Sequence, residues 1–317
     1  MKKFNRMALV RNIIALSPRQ LEGEKKTLRF LQTFLKERNI PFFTHLFHVA
    51  IPQTQRAVLF ADGKKVPCDA CSMRSGKIRN NYKIISSLVS SRVLQEEPNI
   101  NFNPRCVGIS KSNHYFAPSV AVSRKGLLQV LKAKRVEGEV KVNKVLHTAT
   151  DILVGNIENP KYVCFAHYDS VETGAIDNAS GVAAMMGVIL AHSTLLKSTL
   201  FVFASNEELS YDTPVYWGHG FRVFEKEYQR QLERANKIIV IDSVGNAKTQ
   251  KITDMHDIML GFPINNAKRW HKKIVFLSGD FDHLMTVYHS RLDDGRGMSE
   301  KWLKDAQAAI AKELKTP

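Results

Sequence analysis

Four short, wholly apolar runs constrain this chain more than anything else in it: Val163–Ala166, Leu200–Ala204, Ile238–Ile241 and Ile274–Leu277. A strand exposed on one face alternates apolar and polar residues, so a run with no polar member belongs in a sheet covered on both faces. Between the first two runs lies Gly181–Ala191, rich in Ala, Met and Leu, which reads as a buried helix. Residues 219–236 and 299–314 read as surface helices. This alternation predicts an α/β fold, a three-layer α/β/α sandwich around a mostly parallel mixed sheet. In such sheets the chemistry gathers at the carboxyl ends of the strands.

The first half reads differently. Residues 20–39 form an amphipathic helix pattern, with Leu21, Leu28, Leu31 and Leu35 at helical spacing and Pro41 beyond its end. Residues 47–145 carry short apolar runs (Ala57–Phe60, Ser119–Val122, Val140–Val145) separated by Gly, Pro, Asn and Lys. They predict a smaller β-rich inserted domain, with helix around 82–94 and 126–134. Residues 1–46 and 146–317 then make up the main domain.

The net charge of +16 is unevenly placed. Residues 47–145 hold 17 Lys and Arg against 6 Asp and Glu, whereas 146–317 hold 19 against 21. The basic half either marks an acidic partner or is a Lys-rich solvated surface, and the second reading is preferred. Nucleic acid is accordingly not the expected partner. Cys68 and Cys71 form a lone CxxC among four cysteines. A metal or redox role needs a second ligand pair, for which Cys106 is the one candidate, so two reduced thiols are expected. No apolar run approaches the roughly 18 residues of a membrane span, and Met1–Ser17 lacks a signal-peptide core. The expectation is a cytoplasmic protein with no membrane partner.

The polar residues cluster where the apolar runs stop. His167-Tyr-Asp169 follows the first run, and Asp177-Asn178-Ala-Ser-Gly181 precedes the buried helix. Asn206-Glu207-Glu208 follows the second run, Asp242-Ser-Val-Gly245 the third, and Tyr288-His289-Ser-Arg-Leu-Asp293 comes after the fourth. Each piece alone has a plain structural use, such as Asp-Asn as a helix cap. Together they place imidazole and carboxylate at successive strand ends. That donor set, without thiolate, suits Zn²⁺, and Mn²⁺ or Co²⁺ less well. Adjacent glutamates on an extended segment point opposite ways, so one reaches a metal while its neighbour faces water.

The ordered set H-x-D, D-N-x-S-G, E-E, D-x-x-G and Y-H-x-x-x-D resembles the co-catalytic zinc exopeptidases, the family of bacterial leucyl aminopeptidase, aminopeptidase Y and glutaminyl cyclase. Ser17-Pro18-Arg19 with Glu22-Gly-Glu24 looks like that family's opening segment, and 47–145 resembles its protease-associated insertion near Ala117–Ser123. The resemblance implies two zinc ions. Asp177 would bridge them, with a cis peptide before Asn178; His167 and Asp242 would hold one, Glu208 and His289 the other. Asp169 would orient His167, and Glu207 would be the general base for a metal-activated water that cleaves a peptide substrate, removing N-terminal amino acids. His283 is the alternative to His289 as closing ligand; Asp293 or Asp294 would accept from the second nitrogen of His289.

Two departures from the family pattern remain. The segment Leu209–Gly220 is longer and more aromatic than the Gly-Leu-x-Gly-Ser-like continuation, and Asp254-Met-His256 only loosely matches the family's Ser-Asp-His. Substrate preference is therefore not inherited. The competing readings are glutaminyl cyclase-like acyl transfer, carboxypeptidase action using Arg222, Arg291 or Arg296 for the substrate carboxylate, and a basic binding protein built on a peptidase scaffold.

Overall fold

A computed structural model describes residues 4–79, 81–88, 96–212 and 215–315. In chain order the strands are β1 (Phe43–Ala61), β2 (Lys64–Val66), β3 (Cys68–Ala70), β4 (Gly76–Ile78), β5 (Lys83–Ser86), β6 (Asn99–Phe102), β7 (Ser119–Val122), β8 (Val136–Gly155), β9 (Tyr162–His167), β10 (Thr199–Ala204), β11 (Lys237–Ile241), β12 (Gln250–Ile252) and β13 (Ile274–Ser278). The α-helices are α1 (Arg6–Ile14), α2 (Glu22–Lys36), α3 (Arg124–Lys132), α4 (Ser180–Ala191), α5 (His219–Glu227), α6 (Gln229–Arg234), α7 (Met255–Gly261), α8 (Ala267–Trp270), α9 (Phe281–Met285) and α10 (Glu300–Glu313).

The main sheet runs β12-β13-β11-β9-β10-β8-β1-β2, with β4 added to β8. Its centre is parallel: β13 pairs with β11, β11 with β9, and β9 with β10. The flanks, β12 on one side and β8 and β1 on the other, are antiparallel. The apolar runs divide their residues between two cores. On β9, Cys164 and Ala166 face a core shared with α1, α4 and α10, while Val163 and Phe165 face one containing Phe221, Phe224 and Phe262. Successive strand residues point to opposite faces, so only an all-apolar run serves both layers. The result is the mixed α/β sandwich expected from the sequence. No helix among the described residues is long and apolar enough to cross a membrane.

The stretch 47–145 holds a second sheet, β3-β7-β6-β5, with its own core of Val66, Ile78, Ile100 and Val120. Two long strands reach it from the main sheet. β1 spans 19 residues and β8 spans 20, paired from Phe43↔Leu153 out to Ala61↔Val136 with one irregularity between Thr54 and Arg56.

Several local expectations need correction. Residues 83–86 are strand β5, parallel to β6, rather than helix; the remainder of that expected helix, 89–94, lies outside the described residues. The helix expected over 219–236 is two helices, α5 and α6, parted at Tyr228. The length of β1 and β8 went unforeseen.

Candidate metal centre

Each cluster of polar residues sits at a strand end and is held there by a specific contact. β9 delivers His167, and Asp169 lies just beyond it. The Asp169 carboxylate accepts the N–H groups of Glu207 (3.0 Å) and Glu208 (3.0 Å), fixing the segment after β10, and Gln20 Nε2 donates to it at 3.2 Å. Asp177 precedes α4 across a cis Asp177-Asn178 peptide. Asn178 ties this turn to β11 by donating to the Ile241 carbonyl at 2.8 Å, and it accepts from Gly181 N at 2.9 Å. Only glycine fits at 181, because a Cβ there would lie 2.5 Å from Asn178 Oδ1 and 2.8 Å from the Ile241 carbonyl. Beneath the turn, Arg19 is fully buried and donates to the carbonyls of Tyr168 (2.6 Å), Thr173 (2.7 Å) and Gly174 (2.9 Å). Burial draws its pKa down to about 10.

These contacts bring together all seven residues singled out from the sequence. His167 Nε2 lies 3.2 Å from Asp177 Oδ1 and 3.6 Å from Asp242 Oδ1. His289 Nε2 lies 3.5 Å from Asp177 Oδ2 and 2.7 Å from Glu208 Oε2. Asp177 thus turns one oxygen to each histidine. Three groups have ligand atoms within 4.8 Å of one another: His167-Asp177-Asp242, Asp177-Glu208-His289 and His167-Glu207-Glu208. All seven are buried except Asp242, which is intermediate. Both ring nitrogens of His167, His289 Nε2 and Glu208 Oε1 are buried without a hydrogen bond of acceptable geometry. Buried polar atoms are normally paired. Atoms this close that do not bond one another, and that converge from imidazole and carboxylate, fit a zinc site.

The charges show the same tension. Burial pushes Glu207 well above the ordinary carboxyl range, and Glu208 nearby adds to the push. Burial raises Glu208 to about 7, against the pull of His289. Burial also raises Asp242, and Asp177 adds to the shift. Asp177 feels the same burial, but His167 and His289 on either side hold it below its usual value.

The expected partner of His289 needs correction. Its Nδ1 faces the backbone carbonyl of Lys111 at 3.2 Å, not Asp293 or Asp294. Asp293 instead accepts the N–H groups of Ile176 (2.8 Å) and Asp177 (3.1 Å), and Asp294 pairs with Arg296. His283 is in none of the metal-competent groups among the described residues.

The cluster opens into a cavity of about 570 Å³. Glu207, Glu208, Asp177 and Asp242 line its base, and Trp217, Leu260, Phe276, Phe281, Leu284 and Met285 line its walls. Ser87, Leu88, Ser112 and Asn113, from the stretch between the two long strands, and His256 and Asp257 of α7 also line it. No Lys or Arg lines it among the described residues. Arg222 is occupied by Asp212 at 2.8 Å, Arg296 by Asp294 at 2.8 Å, and Arg291 lies 81% exposed near Glu172. Tyr288 also lines the cavity; its ring stacks on His289 with centroids 3.7 Å apart, and burial keeps its hydroxyl protonated. Its place beside His289 in the sequence is the one signal that points to it. Cys68 and Cys71 are free thiols that burial pushes up to about 12 and about 11, which keeps them protonated and unreactive.

The chain is thus a mixed α/β sandwich with imidazoles and carboxylates gathered at its parallel strand ends, the class of fold that builds its sites there. Residues 152–259 match Peptidase family M28, in agreement with the resemblance carried by the sequence motifs. Among solved structures, the fold is similar to BSAP, a zinc aminopeptidase from Bacillus subtilis (TM-score 0.69, 14% identity, covering 98% of this chain and 93% of that one). It is also similar to the aminopeptidase from Aneurinibacillus sp. strain AM-1 (TM-score 0.59, 13% identity, 97% and 92% covered). A glutaminyl cyclase from an Acidobacteriales bacterium is similar at TM-score 0.51 and 13% identity, with 99% and 94% covered. A search of curated proteins by sequence found no match. The family match points to a peptidase, and the solved structures show that the fold is shared.

Proposed function

We propose that the protein is a zinc-dependent aminopeptidase with two ions per chain. The observation that carries this reading is Asp177, whose two oxygens face His167 and His289 separately at 3.2 and 3.5 Å. In this reading His167 and Asp242 would hold one ion, Glu208 and His289 the other, and Asp177 would serve both. Bound zinc supplies a Lewis acid for the scissile carbonyl and makes water nucleophilic near neutral pH.

The chain's own residues do the rest. Glu207 is buried, aimed into the cavity and held by Asp169 through its backbone, and its raised proton affinity suits a general base. Its carboxylate takes the proton from the attacking water and passes it to the leaving amine. Tyr288, with its hydroxyl kept protonated, donates a hydrogen bond to the oxygen that gains charge as the carbonyl becomes tetrahedral. Asp169 lies 3.4 Å from His167 Nδ1 and accepts the Glu207 and Glu208 backbone N–H groups, so it positions the base beside the site.

Among the described residues the cavity has no Lys or Arg to pair with a substrate carboxylate, His256 being the one imidazole that lines it besides His289, and the carboxylates at its base suit a free amino group, which favours aminopeptidase over carboxypeptidase action. Residues 47–145 are read as an inserted unit of protease-associated type that walls the cavity. Peptide, rather than nucleic acid or membrane, is the proposed partner, and the cell interior the proposed location.

Elemental analysis of purified protein, run beside a panel of aminoacyl anilides and an N-terminal glutaminyl peptide, tests the reading. Zinc uptake with anilide cleavage supports it. Cyclisation of the glutaminyl peptide without anilide cleavage replaces it with the cyclase. A protein that takes up no transition metal removes both.

A further inference from the structure

The segment 110–112 belongs to the stretch between the two long strands, yet it grips the closing histidine. Lys111 N–H donates to the His289 carbonyl at 2.9 Å, and the Lys111 carbonyl faces His289 Nδ1 at 3.2 Å. The backbone of one residue, through the peptide units on either side of it, therefore holds both the backbone and the ring of His289. Ser110 and Ser290 form an antiparallel bridge, and Ser110 Oγ donates to the Tyr288 carbonyl at 2.7 Å. Lys111 Nζ is anchored in turn to Glu172 at 2.6 Å.

His289 has particular need of such a grip. Among the seven site residues it alone has a positive φ, 46°, a left-handed conformation that costs a non-glycine residue and persists only when surrounding contacts enforce it. A ligating imidazole also needs an acceptor on its other nitrogen to fix the tautomer and the ring plane. With Nδ1–H directed at the Lys111 carbonyl, Nε2 is left bare toward Asp177 and Glu208. No carboxylate performs this service, since Asp293 and Asp294 are engaged elsewhere.

We propose that Ser110–Ser112 is a positioning element for His289, so that the inserted stretch is part of the metal centre and not only a wall of its cavity. The inference rests on the zinc reading above. It is tested by zinc titration of the metal-stripped protein against a chromophoric chelator, with thermal midpoints of the stripped forms as a check on folding. His289→Ala serves as the reference and should lose one of two sites. Lys111→Pro removes the N–H donor and should retain both sites but weaken one by about 10–100-fold. Ser110→Ala should act in the same direction, and added zinc should restore turnover in both variants, which a merely structural contact would not allow.

If His289→Ala loses a site while Ser110→Ala and Lys111→Pro bind as the unaltered protein does, the positioning role is overturned and the zinc reading stands. Lost turnover that no zinc concentration restores overturns the positioning role as well. An unaltered protein that takes up no zinc overturns the reading and the inference with it. Should Lys111→Pro fail to fold, Ser110→Ala decides alone.

Discussion

Glu207 and Glu208 are neighbours in the chain with opposite surroundings. Glu208 touches His289 at 2.7 Å, whereas Glu207 lines the cavity with no ion pair among the described residues. Glu207→Gln keeps shape and hydrogen bonding but removes the proton acceptor. It should cost roughly 10²–10⁴-fold in kcat, with zinc content unchanged by elemental analysis. Glu208→Gln should lose zinc instead; near-normal turnover in Glu207→Gln would remove it as the base. His289→Ala should abolish activity and strip one ion, while His283→Ala should leave the zinc content intact; the reverse pattern would move the ligand to His283. That these seven residues come together was legible because imidazole and carboxylate are concentrated at the ends of apolar runs. What holds those ligands was less legible. Asp293, proposed as a partner of His289, supports the Asp177 turn, and the true acceptor, Lys111, is 178 residues away from His289 in the chain. Local spacing carries no record of a contact made across two sheets.

At the scale of elements, the parallel strands and α4 were readable because burial on both sides leaves a continuous apolar signature. β1 and β8 escaped for the opposite reason. Their outer parts are half exposed and carry Pro52, Gln53, Glu139 and Lys141, and both far exceed the usual strand of about 5–6 residues. The helix expected around 82–94 gives way at Lys83–Ser86 to a strand, because parallel pairing with β6, a contact distant in sequence, decides the local conformation. The junction between β9 and α4 is a tight element-level constraint at the site. Gly181→Ala would press a methyl group against Asn178 and the β11 backbone, so it should destabilise the protein by about 1–3 kcal/mol in urea denaturation. A denaturation midpoint equal to that of the unaltered protein would show that the turn relaxes without cost.

For the whole molecule, four buried carboxylates around two histidines are a liability until a cation joins them. Stripping zinc with a chelator should lower Tm, and zinc should restore it; the linkage amounts to about 2.7 kcal/mol at free zinc a hundredfold above Kd. An unchanged Tm would mean the cluster is stable without an ion. Charge acts on the same scale. The cavity wall has no Lys or Arg among the described residues, so cleavage of neutral anilides should vary little with ionic strength. A steep salt-dependent loss confined to acidic peptides would instead assign recruitment to the 17 Lys and Arg of residues 47–145. The long pairing of β1 with β8 has a mechanical side too. Pairing continues on both sides of its one irregularity, from Phe43↔Leu153 to Ala61↔Val136, so the ribbon acts as a strut between the sheets. Folding it over would break ladder hydrogen bonds on both strands, whereas a flexible linker would swing freely. The spacing between the two sheets is therefore held by the stiffness of a two-stranded beam.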